Sequence, residues 1–170
     1  KMQAEMFKVS QTQKFRAISV GRLDQNKNVR LQIEAVCYLL SRQRLNIELY
    51  IIGQGEEKPL LEKMSREYLD RNIFFLGYQS NPYPYIKACD IYVQPSRYEG
   101  KAITVLEAQA LNKPVIITNY GTASSQLRDG SNGIIVSLDT PICAKEMGKV
   151  IDDMKLQKNL IENCKHTKFP

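Results

Sequence analysis

The chain has 170 residues, 43 % hydrophobic and 25 % charged, with 24 Lys and Arg against 18 Asp and Glu for a formal charge of +6. That length suits one domain with a full core or one half of a larger architecture, and the composition is that of an ordinary globular protein. No apolar run approaches a membrane span and residues 1–14 hold no apolar stretch of the kind a secretory leader needs; the dispersed basic residues, without zinc-finger spacing or an RNP-like aromatic motif, argue against a nucleic-acid partner. The mild basic excess reads as solvated surface, with a phosphate-bearing ligand or an anionic membrane surface as the alternative.

Residues 1–14, KMQAEMFKVSQTQK, are polar with scattered apolar positions and read as a linker or the end of a truncated segment; residues 15–170 are expected to be the folded domain. Phe15 to Val20 (FRAISV) is a short strand followed by the polar turn GRLDQNKN, and from Val29 the positions Val29, Ile33, Val36 and Leu40 follow helical spacing. Leu45 to Ile52 (LNIELYII) is a second strand ending in Gly53-Gln54-Gly55. Glu56 to Leu69 is predicted helical, with Pro59 in its first turn and Leu60, Leu61 and Met64 facing inward.

Asn72 to Leu76 is a third strand that stops at Gly77, Pro82 to Cys89 a short helix, and Asp90 to Gln94 a fourth strand. A polar loop with Glu99 and Gly100 then opens into a helix from about Ala102 to Leu111, followed by a fifth strand at Pro114 to Thr118. Gly121 to Arg128 makes a turn or two of helix, DGSNG at Asp129 to Gly133 a turn, and Ile134 to Ser137 a sixth strand. One or two helices follow from Pro141. Strands alternating with helices indicate βαβ units with right-handed crossovers, and near-continuous apolar strands indicate a sheet covered on both faces. The expected fold is therefore α/β, a Rossmann-like doubly wound parallel sheet of about six strands. Ligands in such sheets bind at the strand carboxyl ends near the switch point.

The post-strand loops Gly21 to Asn28, Gly53 to Glu56, Gly77 to Ser80 and Pro95 to Lys101 should line one crevice. Arg22 and Lys27 are suited to a diphosphate, through charge-assisted hydrogen bonds, although loop cations are mostly just solvated. The loop entering the helix at Gly100 leaves backbone N–H groups free to meet an anion. Glu99 and Glu107 bracket that point: eight helical positions give a rise of about 12 Å and a rotation of about 80°, so both can face one elongated ligand. Glu107 is otherwise an exposed helix residue, and Gly53-Gln54-Gly55 is equally explained as a tight turn.

Several chemistries are disfavoured. GRLDQN lacks the G-x-G-x-x-G turn of a dinucleotide site, and no Walker lysine motif is present. Cys37, Cys89, Cys143 and Cys164 have no CxxC spacing, and Cys37 and Cys89 read as buried thiols in a reducing compartment. His166, the single histidine, is placed in a polar C-terminal tail, so neither a Ser-His-Asp triad nor a histidine metal site is expected.

GRL with a lysine five residues after its arginine, IIGQG, FLGY, ACDIYVQPSRYEG, Glu99-x7-Glu107, EAQALNKPVI and DGSNGIIV form an ordered series from about residue 15 to 137. In that series the chain resembles the C-terminal, donor-binding half of a retaining GT-B glycosyltransferase of the large group-1 class (family 4). The resemblance implies that the catalytic residues are Arg22 and Lys27, clamping the donor diphosphate, and Glu99, holding hydroxyls of the transferred sugar. It implies that Gly100, Lys101, Ala102, Ile103 and Thr104 present backbone N–H groups to phosphate and sugar, and that Glu107 binds the ribose hydroxyls. Gly77 and Tyr78 would lie near the nucleobase, with Gly21 and Gly53 also among the donor-binding positions.

It further implies a nucleotide-diphosphate sugar as donor substrate, no cofactor and no metal, and transfer to a glycan or lipid-linked acceptor. An acceptor domain would precede residue 1, and the setting would be cytoplasmic, peripheral to the membrane in the full-length protein. The chain departs from the family where an aromatic-glycine pair commonly follows Glu-Gly: here stand Lys101 and Ala102. The Ala102 methyl is expected to limit backbone approach to the ligand. Asn28 replaces a usual glycine. A non-catalytic nucleotide-sugar-binding or assembly module, suggested by that pair, remains open, as does another nucleotide-sugar enzyme such as an epimerase.

Overall fold

The computed structural model of the chain describes residues 14–42 and 46–167. Residues 1–13 of the expected linker (1–14) and the Leu45 start of the second strand lie outside them. The elements run β1 Phe15–Val20, α1 Val29–Ser41, β2 Ile47–Ile52, α2 Lys58–Met64, β3 Ile73–Gly77, α3 Tyr83–Ala88, β4 Ile91–Gln94, α4 Ile103–Ala110, β5 Val115–Thr118, α5 Ala123–Gln126, β6 Gly133–Val136, α6 Thr140–Asp152 and α7 Met154–Lys165.

The six strands form one sheet in the order β3-β2-β1-β4-β5-β6, and every pairing is parallel. The order reverses between β1 and β4, whose following helices pack on opposite faces of the sheet, the switch point at which such sheets bind ligands. Because side chains alternate along a strand, the sheet buries two separate cores. Ala17, Leu49, Ile51, Val93 and Ile116 face α1, α2, α6 and α7, while Ile18, Tyr50, Ile52, Tyr92 and Ile117 face α3, α4 and α5. Truncating a residue such as Ile51, 1 % exposed, to alanine would cost about 2–5 kcal/mol.

Four sequence expectations need correcting. The second helix is half as long as its pattern suggests: Ser65 turns its hydroxyl back onto the Leu61 carbonyl (2.9 Å), and Asp70 then takes a left-handed backbone (φ 56°) that turns the chain into β3. Within it Leu61 is fully buried, but Leu60 is 46 % exposed and Met64 only partly covered. Cys37 is likewise half-buried, its thiol pushed up to about 11 chiefly by burial, whereas Cys89 is buried and pushed up to about 12. His166 is no tail residue: it caps α7, its Nε2 3.1 Å from Glu162 Oε1 one turn back.

Candidate active site

The loops after β1 and β4 are joined by two asparagines. Asn26 donates from Nδ2 to the Tyr98 carbonyl and accepts the Tyr98 N–H on Oδ1, both at 3.1 Å, while its own carbonyl accepts the Arg97 N–H at 2.8 Å. Asn28 donates to the Pro95 carbonyl at 3.1 Å from a left-handed backbone (φ 50°, ψ 39°) that asparagine tolerates better than most residues. Asp24 accepts the Lys27 N–H at 2.9 Å and completes the turn.

This scaffold delivers Lys27 to Glu99. The Lys27 ammonium lies 2.6 Å from Glu99 Oε1, which also accepts from Ser96 Oγ (2.7 Å) and Gln94 Nε2 (2.9 Å). Gln94 is buried, and its own oxygen accepts from the buried Tyr92 hydroxyl at 2.7 Å. Beneath the loop, Thr118 donates to the Ser96 carbonyl and Thr122 to the Glu99 carbonyl. Burial alone would raise the Glu99 carboxyl; the hydrogen bonds from Lys27, Ser96 and Gln94 with the Lys27 charge outweigh it and hold the group below the ordinary carboxylate range. Glu99 Oε2 takes no hydrogen bond among the described residues, leaving it free for a ligand hydroxyl.

A cavity of about 580 Å³ opens over this pair, lined by Arg22, Asn26, Lys27, Tyr98, Glu99, Gly100 and Gly121. Arg22 stands on its rim, its side chain 78 % exposed and paired with Asp24 at 3.0 Å. Among the described residues, the backbone N–H groups of Gly100, Lys101, Ala102, Ile103 and Thr104 donate to no partner, as expected where a loop enters a helix without a side-chain cap. Arg22, Lys27 and Gly100 thus line one cavity at a helix start whose backbone donors are unpartnered, features that suit an anion.

The Ala102 side chain contradicts the expectation that its methyl obstructs the ligand. Ala102 is 4 % exposed and packs with Tyr92, Val105 and Ala108 in the core beneath α4. Lys101 and Ile103 are exposed, while Thr104 turns its hydroxyl toward Gln94 at 3.4 Å.

The other positions form a second arm. Gly21 donates to the Ile52 carbonyl and Gly53 to the Gly77 carbonyl, so the ends of β1, β2 and β3 are stitched side by side. Gly53 has φ 144°, and a Cβ there would fall 1.8 Å from the Gly21 carbonyl oxygen, so a side chain would force the loops apart. Tyr78, 70 % exposed, follows Gly77 at this end. Glu107, partly covered on α4, accepts the Tyr83 hydroxyl at 2.8 Å. Gly77, Tyr78 and Glu107 do not line the cavity over Lys27 and Glu99.

Sequence reasoning did not single out Gln94, Ser96, Asn26 or Tyr83; the one available signal was Asn28 standing where a glycine is usual. A larger cavity, about 1280 Å³, lies between α1 and α6–α7 and is lined by Tyr38, Arg42 and Met154 among others. It is lined by the carboxyl end of α1, and none of the residues over Lys27 and Glu99 borders it. Among the described residues no helix is long and apolar enough to cross a membrane, and no group of three or more His, Cys, Asp or Glu could hold a metal ion.

A doubly wound sheet with an anion-seeking crevice at its switch point defines a nucleotide-binding class of fold. Residues 2–167 match the family of glycosyl transferases group 1, and the chain belongs to that family. An alpha-D-kanosaminyltransferase of Streptomyces kanamyceticus is 32 % identical over 150 residues, which cover 85 % of this chain and 38 % of that protein. An N-acetylgalactosamine-N,N'-diacetylbacillosaminyl-diphospho-undecaprenol 4-alpha-N-acetylgalactosaminyltransferase of Campylobacter jejuni is 30 % identical over 144 residues, covering 83 % of this chain and 38 % of its own. Among solved structures, Anabaena Alr3699/HepE in complex with UDP superposes with a TM-score of 0.80 at 22 % identity, over 90 % of this chain and 43 % of that one. The chain thus spans less than half the length of the curated relatives it matches. The fold is the one expected for the C-terminal half of a GT-B architecture.

Proposed function

We propose that the chain binds a nucleotide-diphosphate sugar in the crevice between the β1 and β4 loops, and that the protein transfers the glycosyl group to an acceptor in glycan biosynthesis. The observation that carries this is one cavity lined by Lys27, Arg22, Glu99 and Gly100, where the loop enters a helix with the N–H groups of residues 100–104 unpartnered. In glycosyl transfer the departing diphosphate gains negative charge. Fixed cations and aligned dipoles that meet this charge more strongly in the transition state than in the ground state lower the barrier.

On this reading Lys27 and Arg22 hold the diphosphate together with the α4 N-terminus. Glu99 Oε2 accepts from a hydroxyl of the transferred sugar, Glu107 from the ribose, and the base lies by Gly77 and Tyr78. The positive charge comes from side chains, so the reading needs no metal, and transfer proceeds with retention. The named activities of the two relatives and the UDP in Anabaena HepE support a nucleotide-sugar donor, and the Campylobacter name supports a lipid-linked acceptor. A cytoplasmic site of action beside the membrane suits such an acceptor. The non-catalytic module loses much of its motive, because the Ala102 methyl points into the core.

Calorimetric titration of the 170-residue chain with UDP and GDP tests this. Saturable binding of one of them, unchanged by EDTA, is expected. No saturable binding of either at millimolar concentration and low salt would overturn the reading.

A further inference from the structure

The hydrogen bond between Tyr83 and Glu107 has no part in the phosphate grip, yet it joins two elements that the donor would span. Tyr83 is the first residue of α3, at the end of the segment that begins with Gly77 and Tyr78; Glu107 is on α4. That segment is braced along its length. Gln79 donates to the Leu76 carbonyl (2.9 Å) and accepts from the Tyr85 hydroxyl (3.1 Å), and the Asn81 side chain accepts the Tyr83 N–H at 3.1 Å. Tyr83 thus starts from a held backbone and sends its hydroxyl to Glu107 Oε1 at 2.8 Å. No other donor to Glu107 is recorded among the described residues, so Oε2 is left for a ligand.

We propose that Tyr83 is a positioning residue that fixes the Glu107 carboxylate for a ribose diol, so that the crevice selects ribonucleotide over deoxyribonucleotide donors. The proposal rests on the donor-site reading above. An unanchored glutamate on a helix surface samples several rotamers, and a ligand must then order it at the cost of affinity. With one oxygen occupied by Tyr83, the carboxylate plane is set before the ligand arrives and the second oxygen is presented. A site built to hydrogen-bond a hydroxyl discriminates against the analogue that lacks it. The hydrogen bond to Glu107 is also the main reason the Tyr83 hydroxyl titrates above its ordinary value.

The test is calorimetric binding of UDP and 2′-deoxy-UDP (with the GDP pair alongside) to the 170-residue chain, to Tyr83→Phe and to Tyr83→Phe in a Glu107→Gln background. Tyr83→Phe is expected to weaken UDP by about three- to tenfold while leaving 2′-deoxy-UDP within about twofold, and to add nothing once Glu107 is glutamine. Equal weakening of both nucleotides would make Tyr83 a general support of the β3–α3 segment and overturn the proposal. Unchanged UDP affinity would overturn it too. Either of those results leaves the donor-site reading standing if the unsubstituted chain binds UDP or GDP. Failure of the unsubstituted chain to bind any of the nucleotides overturns both.

Discussion

Glu99 takes three hydrogen bonds on one oxygen, from Lys27, Gln94 and Ser96, with a side chain 11 % exposed; Glu107, eight residues on, takes one from the half-exposed Tyr83. The first carboxylate is built into a buried network that begins at Tyr92 and ends at a cation. The second is tethered by a single contact in water, where such a contact contributes little to stability. One loop-helix unit therefore carries a pre-set group, which on the proposed reading stands beside the reacting carbon, and a lightly held one eight residues on. Geometry fixed beforehand matters most where charge develops. On the proposed reading the far end needs only modest pre-ordering, enough to select a ribose.

Lys27 is the residue on which that contrast turns, since it serves Glu99 in the free chain and would face phosphate in the occupied one. A diphosphate entering the cavity competes with Glu99 for the ammonium, and the chain has no other cation so close to that carboxylate among the described residues. Lys27→Ala should have the largest effect: UDP affinity falls tenfold or more, at least about 1.4 kcal/mol, read by calorimetry. Unaltered affinity would break the comparison, since Lys27 would then serve only to neutralise Glu99.

The network around Glu99 makes a second prediction, about pH. Glu99 is held below the ordinary carboxylate range, so its ionised form stabilises the fold fully above the unfolded value, and that contribution is lost as pH falls through the depressed folded value. Gln94→Leu removes one donor and should cost about 1–2 kcal/mol at neutral pH. It should also shift the acid limb of stability toward higher pH, as melting temperatures between about pH 3 and 6 would show. If the limb stays where it is in the unsubstituted chain, Gln94 packs beside Glu99 without helping to hold its charge.

The sheet was legible because its strands are short β-branched runs between turn residues, as in FRAISV and IELYII, and their alternation with helices admits few topologies. The adjacency of the β1 and β4 loops follows from the strand order. The Lys27–Glu99 pair could not be read in the same way. Its members are 72 residues apart, and their meeting depends on the two-way bond between Asn26 and Tyr98 and on the left-handed turn at Asn28. The second helix was overextended because the pattern shows apolar spacing and cannot show Ser65 turning back on Leu61. Tyr83 escaped notice for a related reason: its partner lies across a helix pair, outside any local spacing.

Ala102 shows how a one-residue difference in backbone direction reverses the meaning of a substitution. In sequence it follows Glu99, Gly100 and Lys101, and a methyl so close to the crevice suggests a steric limit. In the fold, Ala102 is the N-cap of α4 with φ −77° and ψ 92°, and its methyl packs under the helix while its carbonyl accepts from Val105 and Leu106. Ala102→Gly should therefore cost about 1 kcal/mol through the lost methyl burial and the freer unfolded chain, lowering the melting temperature by about 2–4 °C. It should not tighten UDP binding, because no obstruction is removed. Tighter binding with an unchanged melting temperature would place the methyl in the ligand's path. Of that pair, Lys101 is then the exposed member, next to Gly100 in the cavity wall.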